Sequence, residues 1–490
     1  MSSPTIVRLG SIKNISDFES RLRELKLNIP CDRTLASAAK SSLRWPLAKG
    51  PFRIGNRIAV QPMEGWDSTA DGTPSDNTVR RWRRFGQTGA KLIWGGEAVA
   101  VTHSGRANPN QLVAAPHTER GLAKLRSVLI EEHRRITGSD EDLVIGLQLT
   151  HSGRYCRPNR HDRAEPKILY RHPILDRRLK LPSDYPLLQD SEIEQIIEDF
   201  HRAAAIAAKI GFDFVDIKHC HGYLGHEFLS AYTRDGLYGG SYENRTRFLR
   251  EVVEGIRSLT PELHVGVRLS AFDTIPFHAQ GQAPPRNSTE RPGRGVPDTI
   301  DAALPYRWGF GLNPSKPSDI DLEEPIRFLS SLQVLGIHLL NLTAGSPYYN
   351  PHIQRPALYP PCDGYLPPED PLEGVARQIE VTRQLKLRFP DLIIVGSAYS
   401  YLQDFLPYVA QAAVREEWVD CVGLGRMVLS YPELLWHASA GSDIERKRIC
   451  RTFSDCTTAP RNGLPSGCYP LDEHYKNCDL GERLRLLKRP

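Results

Sequence analysis

Eight short apolar runs alternate with longer amphipathic stretches along the middle of this chain. The runs are NRIAVQPM (56–63), KLIWGG (91–96), LVIGLQLT (143–150), FDFVDIK (212–218), HVGVRLS (264–270), IHLLNLT (337–343), LIIVGSA (392–398) and DCVGLGR (420–426). Each is too short for a helix and rich in Val, Ile and Leu, which is typical of parallel strands buried on both faces. Eight such strands with helices between them predict an α/β fold, a (β/α)8 TIM barrel.

The stretches between the runs have the periodicity and the end signals of helices. SEIEQIIEDFHRAAAIAAKIG begins with a capping-box pattern from Ser191 to Glu194 and ends at Gly211, and its apolar positions form one stripe. No G-x-G-x-x-G motif opens a helix after any of the runs, which disfavours two dinucleotide-binding halves as the alternative architecture.

Three segments fall outside this repeat. We expect an N-terminal leader (1–51), a barrel domain (52–438) and a cysteine-containing C-terminal extension (439–490). Within the barrel domain, residues 274–318 follow the fifth strand and are rich in Pro, Gly, Arg and Asn. Insertions of this length are often functional, so we predict a mobile flap over the mouth of the pocket.

Composition excludes several classes of protein. The net charge of +5 over 490 residues is small, and no basic stripe accompanies a nucleic-acid reader fold. The N-terminal sequence has no apolar core of a signal peptide, and no run approaches the roughly 20 apolar residues of a membrane span. Nine cysteines, most of them isolated, are typical of a reducing compartment. We therefore expect a cytoplasmic protein with a small-molecule substrate, with a homo-oligomer as an open alternative.

Polar and small residues collect at the carboxyl ends of the predicted strands, where barrel active sites lie. In chain order they are Pro62, Met63, Glu64, Gly95, Gly96, Gln148, His151, Lys218, His221, Tyr223, Arg268, Gly396, Ser397, Ala398, Gly425 and Arg426. The small residues after the last two strands, together with Arg426, predict a phosphate site. Tight turns are the alternative explanation of those glycines.

Five motifs resemble the Old Yellow Enzyme family of FMN-dependent oxidoreductases, over residues 52 to about 437. They are NRIAVQPM, IGLQLTHSGR, GFDFVDIKHCHGYLGHEFLSAYTRDGLYGGSYENRTRFL, VGVRLS and VGLGR. The resemblance implies backbone contacts to the flavin ring from Pro62, Met63, Gly95 and Gly96. It implies that Gln148 binds the pyrimidine edge, that Arg268 lies near flavin N1, and that the phosphate is held by Gly396, Ser397, Ala398, Gly425 and Arg426.

The end of the fourth strand departs from the family pattern. The family usually places His-x-x-His or His-x-x-Asn there to bind the substrate oxygen, with a proton-donating Tyr two positions later. The resemblance assigns the second histidine to His221 and the tyrosine to Tyr223, but Lys218 stands at the first position. An ammonium suits a carboxylate, an enolate or another strongly polar oxygen. The alternative is a structural pair between Lys218 and Glu64.

Two further features of this region concern the substrate side of the pocket and the possibility of a metal site. Glu64 replaces the Cys or Thr of many family members, and we assign Glu64, Trp66 and His151 to the substrate side of the pocket. His219 should face the helices because side chains alternate along a strand, so His219 and His221 cannot share a metal ion. We predict no metal site here.

The resemblance therefore predicts an FMN-dependent oxidoreductase with NADH or NADPH as reductant. Hydride would pass through flavin N5 to a polar substrate bearing a carbonyl or carboxylate. Two alternatives remain at this point: a flavin-dependent dehydrogenase or isomerase that runs in the oxidising direction, and a flavin-free barrel lyase that uses Lys218 as a Schiff base.

The C-terminal extension carries Cys450, Cys456 and Cys468, with Cys478 further on. A subgroup of the family binds a [4Fe-4S] cluster after the barrel through C-x2-C-x3-C-x11-C. Here Cys456 and Cys468 keep the last spacing, but Phe453 occupies the region of the second cysteine. We predict a remnant without metal, with a cluster or zinc as the alternative.

Overall fold

Eight parallel strands close into a barrel in the computed structural model, which describes residues 6–281, 292–299 and 304–488. The strands are β1 (Ile58–Val60), β2 (Leu92–Ile93), β3 (Val144–Thr150), β4 (Phe214–His219), β5 (His264–Ser270), β6 (Leu339–Thr343), β7 (Ile393–Gly396) and β8 (Cys421–Leu424). Each pairs in parallel with its neighbours in chain order, and β8 pairs with β1 to close the ring. The predicted (β/α)8 barrel is confirmed.

A helix follows each strand and packs outside the barrel. These helices are α1 (Asp76–Gly86), α2 (Glu119–Thr137), α3 (Asp190–Ile210), α4 (Arg247–Leu259), α5 (Glu323–Val334), α6 (Pro371–Arg388), α7 (Leu406–Arg415) and α8 (Leu434–Ala440). α3 begins one residue before the predicted Ser191, because its first turn is capped by Glu192, which accepts from the Gln189 N–H at 2.8 Å. Its predicted end at Gly211, with φ of 92°, is confirmed.

Shorter strands, helices and turns are present in addition to the eight strands and eight helices of the barrel. Additional strands are Leu47–Lys49, Phe52–Ile54, Ala98–Ala100, Phe277–Ala279, Gly295–Pro297, Leu312–Asn313 and Lys316–Ile320. Additional helices are Ile15–Glu24, Leu175–Leu179, Leu224–Leu229, Tyr242–Arg245, Pro351–Gln354, Arg426–Ser430, Asp455–Arg461, Glu473–Lys476 and Asp479–Lys488. Single 3-10 turns are Leu9–Ser11, Ser42–Arg44, His103–Gly105, Pro116–Thr118, Gly153–Tyr155, Tyr399–Phe405 and Arg446–Arg448. None of the helices in the described ranges is long and apolar enough to cross a bilayer.

Apolar side chains fill the barrel at the amino ends of its strands. Trp94 and Phe214 meet edge to face there, with ring centroids 5.2 Å apart. Phe214 fits because Gly146 faces it, and a Cβ on that glycine would lie 2.3 Å from the phenyl ring. The hairpin of Leu47–Lys49 and Phe52–Ile54 closes this end through Phe52 and Ile54. Side chains therefore fill the interior at the amino end, and the predicted site residues lie at the carboxyl end of the described barrel.

The N-terminal leader packs onto the barrel. Phe18 stacks on Phe405 with centroids 4.3 Å apart, and Arg21 pairs with Asp370 at 2.7 Å. The C-terminal extension is also docked, because Arg80 of α1 forms two hydrogen bonds of 2.8 Å with the carboxylate of Asp472.

The insertion after β5 is described only in part, since residues 282–291 and 300–303 lie outside the described residues. Its described part pairs Phe277–Ala279 with Gly295–Pro297 and contacts the segment that follows β6, where the Gly295 N–H donates to the Leu366 carbonyl at 2.8 Å. Part of the predicted flap therefore lies outside the described residues, and the flap stays a prediction.

Candidate active site

One cavity lies at the carboxyl ends of the barrel strands, where the predicted site residues converge. Those that line it are Pro62, Met63, Glu64, Trp66, Gln148, Lys218, His221, Tyr223, Arg268, Ser397, Ala398, Gly425 and Arg426. They come from six segments of the chain. The barrel places them together because parallel strands all end at the same face.

Four predicted residues lie behind this lining. Gly96 accepts from the Met63 N–H at 3.0 Å, and Gly95, with φ of 115°, packs against the backbone of Gln148. The Gly396 carbonyl accepts from the Gln61 side chain at 3.1 Å. His151 is buried, and its Nδ1 accepts from the Gly153 N–H at 3.1 Å. These residues support the cavity wall from behind.

Three non-glycine residues that line the cavity have left-handed backbone conformations. They are Trp66, His221 and Ala398, with φ values of 49°, 67° and 74°. This region of φ costs free energy for any residue with a Cβ, so surrounding contacts must hold each one. Such residues cluster at ligand sites, and here each lies in a loop that follows a barrel strand.

Glu64 is the centre of a hydrogen-bonded network on the cavity floor. Its Oε1 accepts from Lys218 Nζ at 2.5 Å, and its Oε2 accepts from the Tyr223 hydroxyl at 2.7 Å and from Trp66 Nε1 at 3.0 Å. The Tyr223 hydroxyl also lies 2.8 Å from that of Tyr348. Lys218 Nζ sits 3.8 Å from the centre of the Tyr223 ring. Burial, with Glu64 next to it, raises the pKa of Tyr223 well above its usual value, so this phenol keeps its proton.

The three histidines of this region face different environments. His221 lines the cavity, and its Nε2 lies 3.3 Å from the Thr343 hydroxyl. Burial and the nearby charges of Arg268 and Lys218 hold the pKa of His221 well below its usual range, so the ring is neutral. His219 points outward between helix residues, and His226 accepts from the Gly222 N–H at 2.9 Å. The outward direction expected for His219 is the one observed.

Asp216 orients the residues on the opposite wall. Its carboxylate accepts from Gln148 Nε2 at 2.5 Å, from Trp94 Nε1 at 2.9 Å and from the Arg268 N–H at 2.6 Å. Burial raises the pKa of Asp216 to about 6, against the effect of these donors. One buried carboxylate thus fixes both Gln148 and Arg268, which the sequence reading assigned to the cofactor without identifying their support.

Two guanidinium nitrogens at the cavity are buried without a hydrogen-bond partner among the described residues. They are Nε of Arg268 and Nη1 of Arg426. Arg268 otherwise donates only from Nη1 to the Pro62 carbonyl at 3.3 Å, and Arg426 donates from Nη2 to the Pro356 carbonyl at 3.0 Å. A buried charged donor without an acceptor is costly, so both nitrogens indicate a site for an anionic or carbonyl oxygen.

The C-terminal extension covers the cavity, which the sequence reading did not anticipate. Its lining residues are Cys456, Thr457, Pro460, Arg461 and Ser466. None of the described residues of the 274–318 insertion lines the cavity. The segment after β6 adds Pro347, Tyr348, Gln354 and Arg355, and β1 adds Gln61. Of these added residues, Gln61 could have been identified from the sequence, because it precedes the Pro-Met pair. The other positions reach the cavity through tertiary packing.

The cysteines of the extension do not form a recognisable metal centre. All nine cysteines are described and unpaired, and Cys478 donates to the Tyr475 carbonyl. No group of three or more His, Cys, Asp or Glu side chains in the described residues is arranged to hold a metal ion. Cys456 faces the cavity instead.

Comparison with known proteins identifies a family and relatives that this chain resembles. Residues 42–282 match the model of the NADH:flavin oxidoreductase / NADH oxidase family. An NADPH dehydrogenase from Clostridium acetobutylicum is 36% identical over 227 residues, which are 45% of this chain and 61% of that relative. These matches support the resemblance of this chain to the Old Yellow Enzyme family. The matched stretch spans less than two thirds of that relative's length.

Solved structures of low sequence identity share the family fold. Histamine dehydrogenase from Rhizobium sp. 4-9 aligns with a TM-score of 0.62 at 19% identity, and the alignment covers 89% of this chain and 53% of that one. The Old Yellow Enzyme homologue from Zymomonas mobilis aligns with a TM-score of 0.54 at 20% identity, over 84% of this chain and 96% of that one. These likenesses support the barrel fold.

The residues present fit the flavin mononucleotide of an Old Yellow Enzyme. Gln148 offers an amide for a pyrimidine edge, and Arg268 offers an orphaned cationic donor beside it. Arg426 offers a second orphaned donor to the same cavity, whose lining also includes Ser397 and Ala398. An amide and two cationic donors match the polar groups of this cofactor.

Proposed function

We propose that this chain is an FMN-dependent oxidoreductase that transfers hydride from a reduced nicotinamide to a polar, activated substrate. The observation that carries the proposal is the shared cavity. It joins two orphaned guanidinium groups, Arg268 and Arg426, to a floor of proton-donating side chains, Lys218, His221 and Tyr223. The names of the NADPH dehydrogenase relatives support a nicotinamide as the reductant.

Arg268 and Gln148 would hold the ring of the cofactor, and Arg426 with Ser397 and Ala398 would hold its phosphate. When bound, FMN supplies hydride transfer in two-electron steps. Arg268 would place a fixed positive charge where negative charge develops on reduction. Asp216 accepts from the Gln148 side chain and from the backbone N–H of Arg268, and these bonds would help to keep both residues in position during the reaction.

The floor of the cavity would bind the electron-withdrawing oxygen of the substrate. Lys218 and the neutral ring of His221 are the donors that face this space. Tyr223 keeps its proton and is the proton donor of the scheme. Its hydroxyl donates to Glu64 at 2.7 Å and lies 2.8 Å from the Tyr348 hydroxyl, which would relay a proton back to it after turnover.

Glu64 supports a second candidate, the same cofactor working in the oxidising direction. Its carboxylate lies on the floor beside Tyr223 and is the one acidic side chain among the described lining residues. A carboxylate there is a candidate base for removing a substrate proton in a dehydrogenase or isomerase reaction. The Schiff-base lyase has less support, because Lys218 already donates to Glu64 at 2.5 Å and offers no free amine.

The test is the absorbance spectrum of the purified protein, followed by anaerobic titration. We expect a yellow protein that releases about one FMN per chain on acid treatment and is bleached by NADH or NADPH. Bleaching by substrate alone would favour the oxidising direction. A colourless protein that borohydride links covalently to a carbonyl substrate would favour the lyase, and release of FAD would refute the cofactor assignment.

A further inference from the structure

The cavity has more positive charge than the proposed cofactor and the network on its floor account for. Among the described residues that line it, five are Lys or Arg and one is acidic: Lys218, Arg268, Arg355, Arg426 and Arg461 against Glu64. Lys218 is paired with Glu64. Arg268 and Arg426 are assigned to the cofactor by the orphaned nitrogens described above. Arg355 and Arg461 remain.

Neither remaining arginine has a buried carboxylate as its partner. Arg355 donates to the Thr457 hydroxyl, and no carboxylate pairs with it within the described ranges. Arg461 pairs with Asp363, whose side chain is 57% exposed, and donates to the Pro347 carbonyl at 3.2 Å. An exposed ion pair of this kind contributes little and competes weakly with a ligand. Both guanidinium groups are therefore available to an anion that enters the cavity.

The two arginines lie close to each other, because Arg355 donates to Thr457, one helical turn before Arg461. Burial, followed by the neighbouring charge of Arg355, lowers the pKa of Arg461 to about 10. Arg461 binds the carbonyl of Pro347, and the next residue, Tyr348, has its hydroxyl 2.8 Å from that of Tyr223. A group held by Arg461 would thus lie on the side of the cavity where Tyr223 would protonate the substrate. Two adjacent cations with few acceptors match the two oxygens of a carboxylate.

We infer that Arg355 and Arg461 form a subsite for a carboxylate carried by the substrate, so the enzyme acts on organic acids. The inference rests on the proposed function, because it assigns the substrate class of the same cavity. It also gives the C-terminal extension a role, since Arg461 ends the helix Asp455–Arg461 and Thr457 of that helix holds Arg355. The extension would thus set specificity instead of binding a metal.

A matched pair of probes tests this: 3-oxocyclohex-1-ene-1-carboxylate and its methyl ester. Reduction of either adds one hydride, supplied by NADPH, and one proton across the same C=C bond, so the two probes differ only in charge. We expect the wild-type enzyme to bind and reduce the acid better, and Arg461→Gln to lower the acid-to-ester ratio of kcat/KM about ten- to a hundredfold, the effect of losing a charge-assisted hydrogen bond. Arg461→Lys should keep part of the ratio, because it keeps the charge.

Two further measurements keep the test decisive. The dissociation constant of the acid for the oxidised enzyme, followed through flavin absorbance, should rise in Arg461→Gln, and Arg355→Gln repeats the experiment if that variant does not fold. Asp363→Asn frees Arg461 from its exposed partner and should tighten binding of the acid. Equal losses for acid and ester, no preference for the acid in the wild type, or loss of FMN from these variants would overturn the subsite. A wild-type protein without flavin would instead refute the proposed function itself.

Discussion

The ammonium group of Lys218 lies 2.5 Å from Oε1 of Glu64, and both side chains face the cavity. The side chain of Lys218 is 4% exposed and that of Glu64 is 15% exposed, so water screens the pair poorly. The sequence offered a substrate contact and a structural ion pair as alternatives for Lys218. The two alternatives are compatible, because a lysine paired with Glu64 on the cavity floor keeps further N–H groups that can donate to a ligand.

A double-mutant cycle on Lys218 and Glu64 separates the two roles. We expect Lys218→Met to lower kcat/KM about ten- to a hundredfold through the lost donor, and to lower stability by about 3 kcal/mol because Glu64 stays buried without its cation. The double variant Lys218→Met/Glu64→Gln should recover most of the stability and none of the activity. Urea denaturation and steady-state kinetics measure the two effects. Full activity in Lys218→Met with lost stability would show a purely structural pair.

Replacement of Asp216 tests whether this carboxylate positions the cofactor residues. In Asp216→Asn an amide N–H₂ must face one of the three donors that the carboxylate now accepts, so Gln148 and Arg268 lose their common support. We expect a stability loss of about 2–3 kcal/mol and a weaker affinity for FMN, measured by flavin fluorescence on titration. Asp213→Asn, just before β4, changes a carboxylate that accepts from the Ile145 N–H at 2.7 Å and does not line the cavity, and it is the matched control. If both variants weaken FMN equally, the effect is general destabilisation.

The sequence predicted the barrel because its strands are buried on both faces and so appear as continuous apolar runs. All eight runs contain a strand, although β1 covers only Ile58–Val60 of the run 56–63 and β2 only Leu92–Ile93 of 91–96. The strands are shorter because the ends of the runs leave the sheet to line the cavity, as Pro62 and Met63 do. The rule that barrel active sites lie at the carboxyl ends of strands therefore predicted the cavity lining more accurately than the apolar runs predicted the bounds of the strands.

The sequence did not reveal which distant segments complete the site. Arg355 lies in a loop without a motif, and Arg461 lies in an extension interpreted through its cysteines. Nothing local indicates that the extension folds back over the barrel, because the contacts that dock it, such as Arg80 with Asp472, are separated by hundreds of residues. Glu64 was recognisable from the sequence because it replaces the Cys or Thr of many family members. Its ion pair with Lys218 was expected as the alternative to a substrate contact.

Acid stability depends on His219, which is buried between Phe248 and Phe328. Burial lowers the pKa of His219 to about 4, below the unfolded value of about 6.5. The unfolded chain therefore binds the proton first as the pH falls from about 6.5 to 4, and stability is lost over that window. The contribution is about 2 kcal/mol at pH 5 relative to pH 7.

His219→Phe should remove this part of the pH dependence, because phenylalanine keeps the aromatic packing and does not titrate. Urea denaturation at pH 7 and pH 5 gives the change in stability for each protein, and the variant should lose less between the two pH values. Any cost of the lost hydrogen bond to the Ile217 carbonyl appears at both pH values and cancels. His161→Phe, at an exposed position, is the control. An unchanged difference in His219→Phe would contradict the assignment.

The phosphate role proposed for Arg426 predicts a difference between two flavins. Its Nη1 is buried without a partner in the described part of the chain, and burial with Arg355 nearby lowers its pKa to about 10, so an anion beside it would be strongly favoured. Arg426→Gln should weaken FMN binding about ten- to a hundredfold, the effect of losing one charge-assisted hydrogen bond, and leave riboflavin binding nearly unchanged because riboflavin has no phosphate. Fluorescence titration of the apoprotein with both flavins measures this, with the exposed Arg388→Gln as control. Equal weakening of both flavins would show that Arg426 supports the cavity wall through Pro356 and does not bind the phosphate.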